Sequence, residues 1–80
     1  MLSFDEFKKM LAQALMIEEE KVVPEASFLN DLFVDSIRMV ELVLRLQEEL
    51  GTEIPPDATW KIQTVGDAYQ YYVDRMSATA

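Results

Sequence analysis

The 80-residue chain contains neither cysteine nor histidine. No disulfide can staple it, the usual ligands of transition metals are missing, and neither a Ser-His-Asp nor a Cys-His arrangement can be assembled. Glycine occurs only at Gly51 and Gly66, which rules out a P-loop and a dinucleotide fingerprint, each of which needs several glycines in close order. Basic residues are scarce: seven Lys and Arg against fifteen Asp and Glu give a formal net charge of −8. Nucleic-acid binding relies on lysine and arginine to displace counterions, so no nucleic-acid partner is expected. The same charge disfavours anionic membrane surfaces and favours basic protein partners, although an acidic surface also serves plain solubility. No apolar run spans a bilayer, so membrane insertion is not expected, and the start lacks the basic segment of a secretory signal. The carboxylates do not follow EF-hand spacing, and no metal site is expected. A reducing, cytoplasmic compartment suits a cysteine-free chain.

Half of the residues are apolar, enough for one small domain over residues 1–80 held by packing alone. Ser3-x-x-Glu6 reads as a capping box, and Phe4, Phe7, Leu11 and Leu15 share one face of a first helix, residues 4–16. Residues 17–34 show no sustained period. Pro24 interrupts any helix there, and Glu18 to Glu20 read as a solvated charge run. A loop this long must be pinned, and Phe28, Leu29 and Leu32 are the expected pins. The strongest helical pattern covers residues 36–50, closed by Gly51 in the left-handed position that suits a helix end. Asp57 can cap a short helix at 58–62, within which Trp60 reads as partly buried packing. Thr64 and Asp67 cap a last helix whose inward face is Val65, Ala68, Tyr69, Tyr72 and Met76, with residues 77–80 expected to fray. The fold expected is all-α, a bundle of three longer helices and one short one with a long first loop, and monomeric.

The second helix holds the chemistry-bearing candidate. Asp35 is a good N-cap, because its carboxylate can accept from free N–H groups of the first turn. Ser36 then stands at the first helical position, on an exposed loop–helix junction. The only lysines are Lys8, Lys9, Lys21 and Lys61, none adjacent in sequence, and no glycine-rich elbow surrounds the serine. With no internal base in evidence, the chain reads as a substrate for another protein's catalysis, with no catalytic residue of its own. Along the helix, Met39, Leu42, Val43, Leu46 and Leu50 share the core face. Ile37 and Leu44 point nearly opposite, with Glu41 and Glu48 beside them and Val40 at the border. An apolar ridge flanked by carboxylates is either a docking surface or a set of incidental exposed side chains.

Asp35-Ser36-Ile37, followed by Val40-Glu41-Leu42 and Gln47-Glu48-Glu49-Leu50-Gly51, resembles the acyl carrier proteins. The similarity continues through Glu53-Ile54-Pro55 and Thr64-Val65-Gly66-Asp67-Ala68 and covers nearly the whole chain. The resemblance implies a four-helix carrier. Ser36 would bear a covalent 4′-phosphopantetheine arm, transferred from coenzyme A by a phosphopantetheinyl transferase, and Asp35 would orient that enzyme's magnesium-bound cofactor. The arm's thiol would hold acyl intermediates as thioesters for acyl-loading and synthase enzymes with basic docking patches. Ile37, Val40, Glu41, Leu44 and Glu48 become the docking residues. Met39, Val43, Leu46 and Ile54 would line a cavity for the acyl chain, although they read equally as ordinary core. Two features depart from the family pattern: Phe33 stands where many members have glycine, and Arg38 and Arg45 alter the charge pattern of the second helix. A polyketide, lipid or aminoacyl pathway is therefore implied as readily as fatty-acid synthesis. The alternatives are an aminoacyl or peptidyl carrier, or an unmodified carrier-like interaction module.

Overall fold

Four α-helices and one 3₁₀ turn account for the regular structure in the computed structural model, which describes residues 2–78. They are α1 (Phe4–Leu15), the 3₁₀ turn Glu19–Lys21, α2 (Ser36–Leu50), α3 (Pro56–Thr59) and α4 (Val65–Ala78). No strand forms among the described residues; a single antiparallel bridge joins Ser27 to Thr64.

The capping box at α1 is complete. The Ser3 hydroxyl accepts from Glu6 N–H at 3.2 Å, and Glu6 Oε1 accepts from Ser3 N–H at 2.9 Å. The Ser3 N–H bond to the carboxylate favours its charged form, so the Glu6 pKa is lowered, first by that backbone N–H and then by the nearby Ser3 hydroxyl. The helix ends one residue before the expected position, because Met16 turns left-handed at φ 57°. Met16 N–H then bonds Gln13 O and Ile17 N–H bonds Ala12 O, the paired closure of a Schellman motif.

The core is built from the inward faces of α1, α2 and α4 and from the long loop. Phe7, Leu11 and Leu15 are fully buried against Leu42 and Leu46, with Val65, Ala68 and Tyr72 closing the other side. Burial at this depth contributes about 1.5–3 kcal/mol for each large apolar side chain. Phe4, Phe7, Tyr69 and Tyr72 form an aromatic cluster with ring centroids 5.1–6.1 Å apart. Tyr72 is buried with its hydroxyl satisfied: it accepts from Leu2 N–H at 2.7 Å, while Tyr69 donates to Leu2 O at 3.2 Å.

The long loop is pinned, but not by all three expected residues. Phe28 and Leu32 are buried, whereas Leu29 lies on the surface. Main-chain bonds supply the remaining anchorage: Phe28 N–H to Gln63 O and Val65 N–H to Ala26 O, both 3.0 Å, and Gly66 N–H to Pro24 O at 2.9 Å. Gly66 suits this approach, since a Cβ there would lie 3.0 Å from the Pro24 carbonyl oxygen, a tight contact. Asp31 closes the loop on itself, its Oδ2 accepting from Ser27 N–H at 2.7 Å.

Two other expectations are corrected. The short helix runs from Pro56 to Thr59, with Pro55 rather than Asp57 at the N-cap position and no side-chain cap bond. Proline is well suited to a first helical turn, because its missing N–H would have no partner there anyway. This frame leaves Trp60 outside the helix and 80% exposed rather than packed. At the other end, α4 runs through Ala78, so Ser77 and Ala78 are helical rather than frayed, and Thr79 and Ala80 lie outside the described residues. No helix among the described residues is long and apolar enough to cross a membrane.

Candidate functional site

The segment before α2 alternates between core and solvent. Leu32 and Val34 are buried, while Phe33, Asp35 and Ser36 are exposed. Val34 is held further by its N–H, which donates to Phe28 O at 2.7 Å. Two buried anchors thus fix the register of the junction and present the residues between and after them to water. Phe33 makes this path with φ 53°, a left-handed conformation costing a bulky L-residue about 1 kcal/mol or more. Glycine adopts it without that cost.

Asp35 is the N-cap of α2. Its backbone is extended, at φ −82° and ψ 178°, and its Oδ1 accepts from Arg38 N–H at 2.9 Å. The first helical bond, Met39 N–H to Asp35 O, is also 2.9 Å. Ser36 is therefore the first residue of a 15-residue helix. Because the Asp35 carboxylate makes the cap, the serine hydroxyl is not needed for it. A helix start offers unpaired N–H groups and a positive dipole end, a setting that suits a phosphate ester. The donor set fits a phosphopantetheine group: one exposed hydroxyl on that helix start, with an exposed carboxylate beside it.

Arg38, read from sequence as part of the helix surface charge, is used differently. It is half-buried, and its Nη1 donates to the Leu15 carbonyl at the end of α1. The last turn of α1 has no basic residue of its own, so Arg38 brings positive charge to the negative end of that dipole. This contact links the end of α1 to the turn of α2 that carries Ser36.

The two faces of α2 are sharply different. Leu42 and Leu46 have no exposed surface, whereas Ile37 is 70% exposed and Val40, Glu41, Leu44 and Glu48 are exposed too. Met39, Val43 and Leu50 are half-buried at the edge of the core. Between α2 and the α3 region lies a surface cleft of about 410 Å³, lined by Met39, Val40, Val43, Leu44, Gln47, Ile54, Pro56, Thr59 and Trp60. Three of the four residues expected around an acyl cavity stand on this wall; Leu46 does not, being wholly inside the core. Val40 and Leu44 both line the cleft and face solvent, so the apolar ridge expected from sequence to be a docking surface shares an edge with the cleft. Gln47 holds the far side in place, its Oε1 accepting from Ile54 N–H at 2.9 Å.

Sequence reasoning missed Pro56, Thr59 and Gln47 as cleft residues, and read Trp60 first as packing, although the family resemblance put its region beside the arm. The helix period places Gln47 on α2 but says nothing of its partner, and a single-turn helix is too short to reveal which way Trp60 faces. No group of three or more metal-binding side chains is gathered among the described residues.

Comparison with known proteins gives a consistent result. The family profile described as a phosphopantetheine attachment site matches residues 5–72. Among solved structures, the acyl carrier protein from Enterococcus faecalis is similar over 90% of this chain and 91% of its own, with 36% sequence identity and a TM-score of 0.72.

Proposed function

The chain belongs to the family of phosphopantetheine-attachment carrier domains, and from that premise we propose that Ser36 carries the arm and that the cargo is an acyl group. Attachment forms a bond between Ser36 Oγ and phosphorus as the link to the nucleotide half of coenzyme A breaks. The hydroxyl proton passes to a base on the phosphopantetheinyl transferase, since the neighbouring carboxylate, Asp35, is engaged in the helix cap and in orienting that enzyme's metal. Asp35, exposed beside the serine, supplies the carboxylate that orients the transferase's magnesium. When bound, the arm supplies a thiol that holds acyl intermediates as thioesters. The chain's own contribution is to present Ser36 outward and hold it on a packed scaffold, so that tethered cargo meets successive enzymes at raised effective concentration.

The observation that carries the proposal is the exposure of Ser36 at the start of α2 beside its capping aspartate. Acyl rather than aminoacyl cargo is supported by the cleft, whose wall is largely Met39, Val40, Val43, Leu44, Ile54 and Trp60. Such a wall can shelter hydrocarbon, whereas an ammonium group must give up hydration to enter it. Ile37, Val40, Glu41, Leu44 and Glu48 form the docking face for the transferase and for synthase enzymes, with apolar groups supplying desolvation and carboxylates orientation. The partners are enzymes of fatty-acid, polyketide or related biosynthesis.

Intact mass after incubation with coenzyme A, magnesium and a broad-specificity transferase tests the site. The wild type should gain one arm and Ser36→Ala none. An arm on Ser36→Ala would refute the site, and an unmodified wild type would refute the carrier function. Loading the arm-bearing protein with acyl and aminoacyl donors in parallel then tests the cargo; preference for the aminoacyl donor would overturn the acyl assignment.

A further inference from the structure

Phe33 and Met16 are the two non-glycine residues with left-handed backbone among the described residues, and each is 81% exposed. Neither packing nor backbone preference accounts for a phenylalanine at position 33. Its ring contributes little to the core, and glycine or asparagine would hold the same φ with less strain. Both side chains border one surface cleft of about 310 Å³, whose other walls are Ile17, Glu18, Lys21, Asp31 and Leu32. The result is an apolar prominence with Glu18, Asp31 and Lys21 around it, three residues from Ser36 and separate from the α2–α3 cleft, with which it shares no lining residue.

We infer that Phe33, with Met16 beside it, is a contact for the phosphopantetheinyl transferase that determines how well this carrier is recognised for loading; this rests on the carrier reading above. Geometry selects the occupant. An enzyme that bonds to the Ser36 oxygen itself must close onto the surface around it. Three residues of chain reach at most about 11 Å, while a standard interface covers roughly 800 Å² on each partner, a disc of about 16 Å radius. A footprint centred on Ser36 therefore covers Phe33 as well as the first turns of α2. Enzymes that act on the far end of an arm have no such obligation. The chemistry of the matching surface follows: an apolar recess for the Phe33 ring, with basic groups opposite Glu18 and Asp31 and an acidic or neutral one opposite Lys21. An aromatic side chain is a common anchor in such a recess.

Initial rates of arm transfer, measured against carrier concentration, test this. Phe33→Gly and Phe33→Asn both tolerate the left-handed backbone, and Asn avoids the added freedom of Gly. Each should raise the KM for the carrier about tenfold and leave kcat within about twofold, with circular dichroism and thermal midpoint no worse than wild type. Phe33→Leu, which keeps an apolar contact, should lose about threefold or less. Met16→Asn should raise the KM roughly threefold. Wild-type kinetics in both Phe33→Gly and Phe33→Asn would overturn the inference and leave the carrier function standing. A wild type that accepts no arm would remove both. A concentration-dependent dimer dissolved by Phe33→Gly would assign the prominence to a second copy of the chain instead and overturn the transferase contact.

Discussion

Removing the Arg38 guanidinium should loosen the joint between α1 and α2 without disturbing either helix's own pattern. Arg38→Met is the cleanest perturbation, because it keeps most of the apolar stem and deletes the donor to the Leu15 carbonyl. Hydrogen bonds involving a charged partner contribute about 1.5–3 kcal/mol. Arg38 is only half-buried, so water screens part of this and the lower end, about 1.5 kcal/mol, is the appropriate figure. Interaction with the α1 dipole is contained in that figure, not added to it. For a domain of this size each kcal/mol moves the thermal midpoint by about 4–8 °C, so the expected fall is about 6–12 °C. Urea unfolding should give a lower midpoint with an unchanged slope, since the surface exposed on unfolding barely changes. Arg38→Lys restores a point charge but not the fork geometry and should recover about half of the loss. Amide hydrogen exchange should quicken at Met16 and Ile17, whose N–H groups close α1. A loss below about 0.3 kcal/mol in Arg38→Met, within the range of an ordinary surface substitution, would refute the reasoning.

The docking face makes a separate prediction: Glu41→Lys and Leu44→Arg should each reduce partner turnover about tenfold while the helical spectrum stays intact, and unchanged partner kinetics would remove that face. Because Trp60 stands on the cleft wall and is 80% exposed, loading a medium-length acyl chain should shift its fluorescence toward the blue, and an unchanged spectrum would place the chain elsewhere. The Glu6 carboxyl should titrate below the ordinary glutamate range in a carbon chemical-shift titration. A carboxylate with a lowered folded pKa adds stability that is present above the unfolded pKa and lost as pH falls through the folded one. Acidification through that lowered range should thus weaken the α1 cap. Ser3→Ala should return only the smaller part of the shift, because the larger part comes from the Ser3 backbone N–H.

Residue order alone determined α1 and α2, because each carries its own period and its own stop signals within a few residues. Ser3 with Glu6, Asp35 with the turn it caps, and Gly51 at φ 71° act locally, so the register that puts Ser36 at the head of a helix was legible before any contact was known. The outward set Ile37, Glu41, Leu44 and Glu48 follows from the same period. The path of residues 17–34 was decided elsewhere. Burial could be assigned to Phe28 and Leu32 from their apolar side chains, but Leu29 turns outward because the chain around it bonds to Gln63 and to the start of α4. Such partners are remote in sequence and leave no periodic trace. The same holds for the left-handed turn at Phe33, for the exposure of Trp60 after a single-turn helix, and for Arg38 reaching the Leu15 carbonyl. Short-range hydrogen bonding and side-chain period write themselves into neighbouring residues; the meeting of distant segments exists only once the chain has packed.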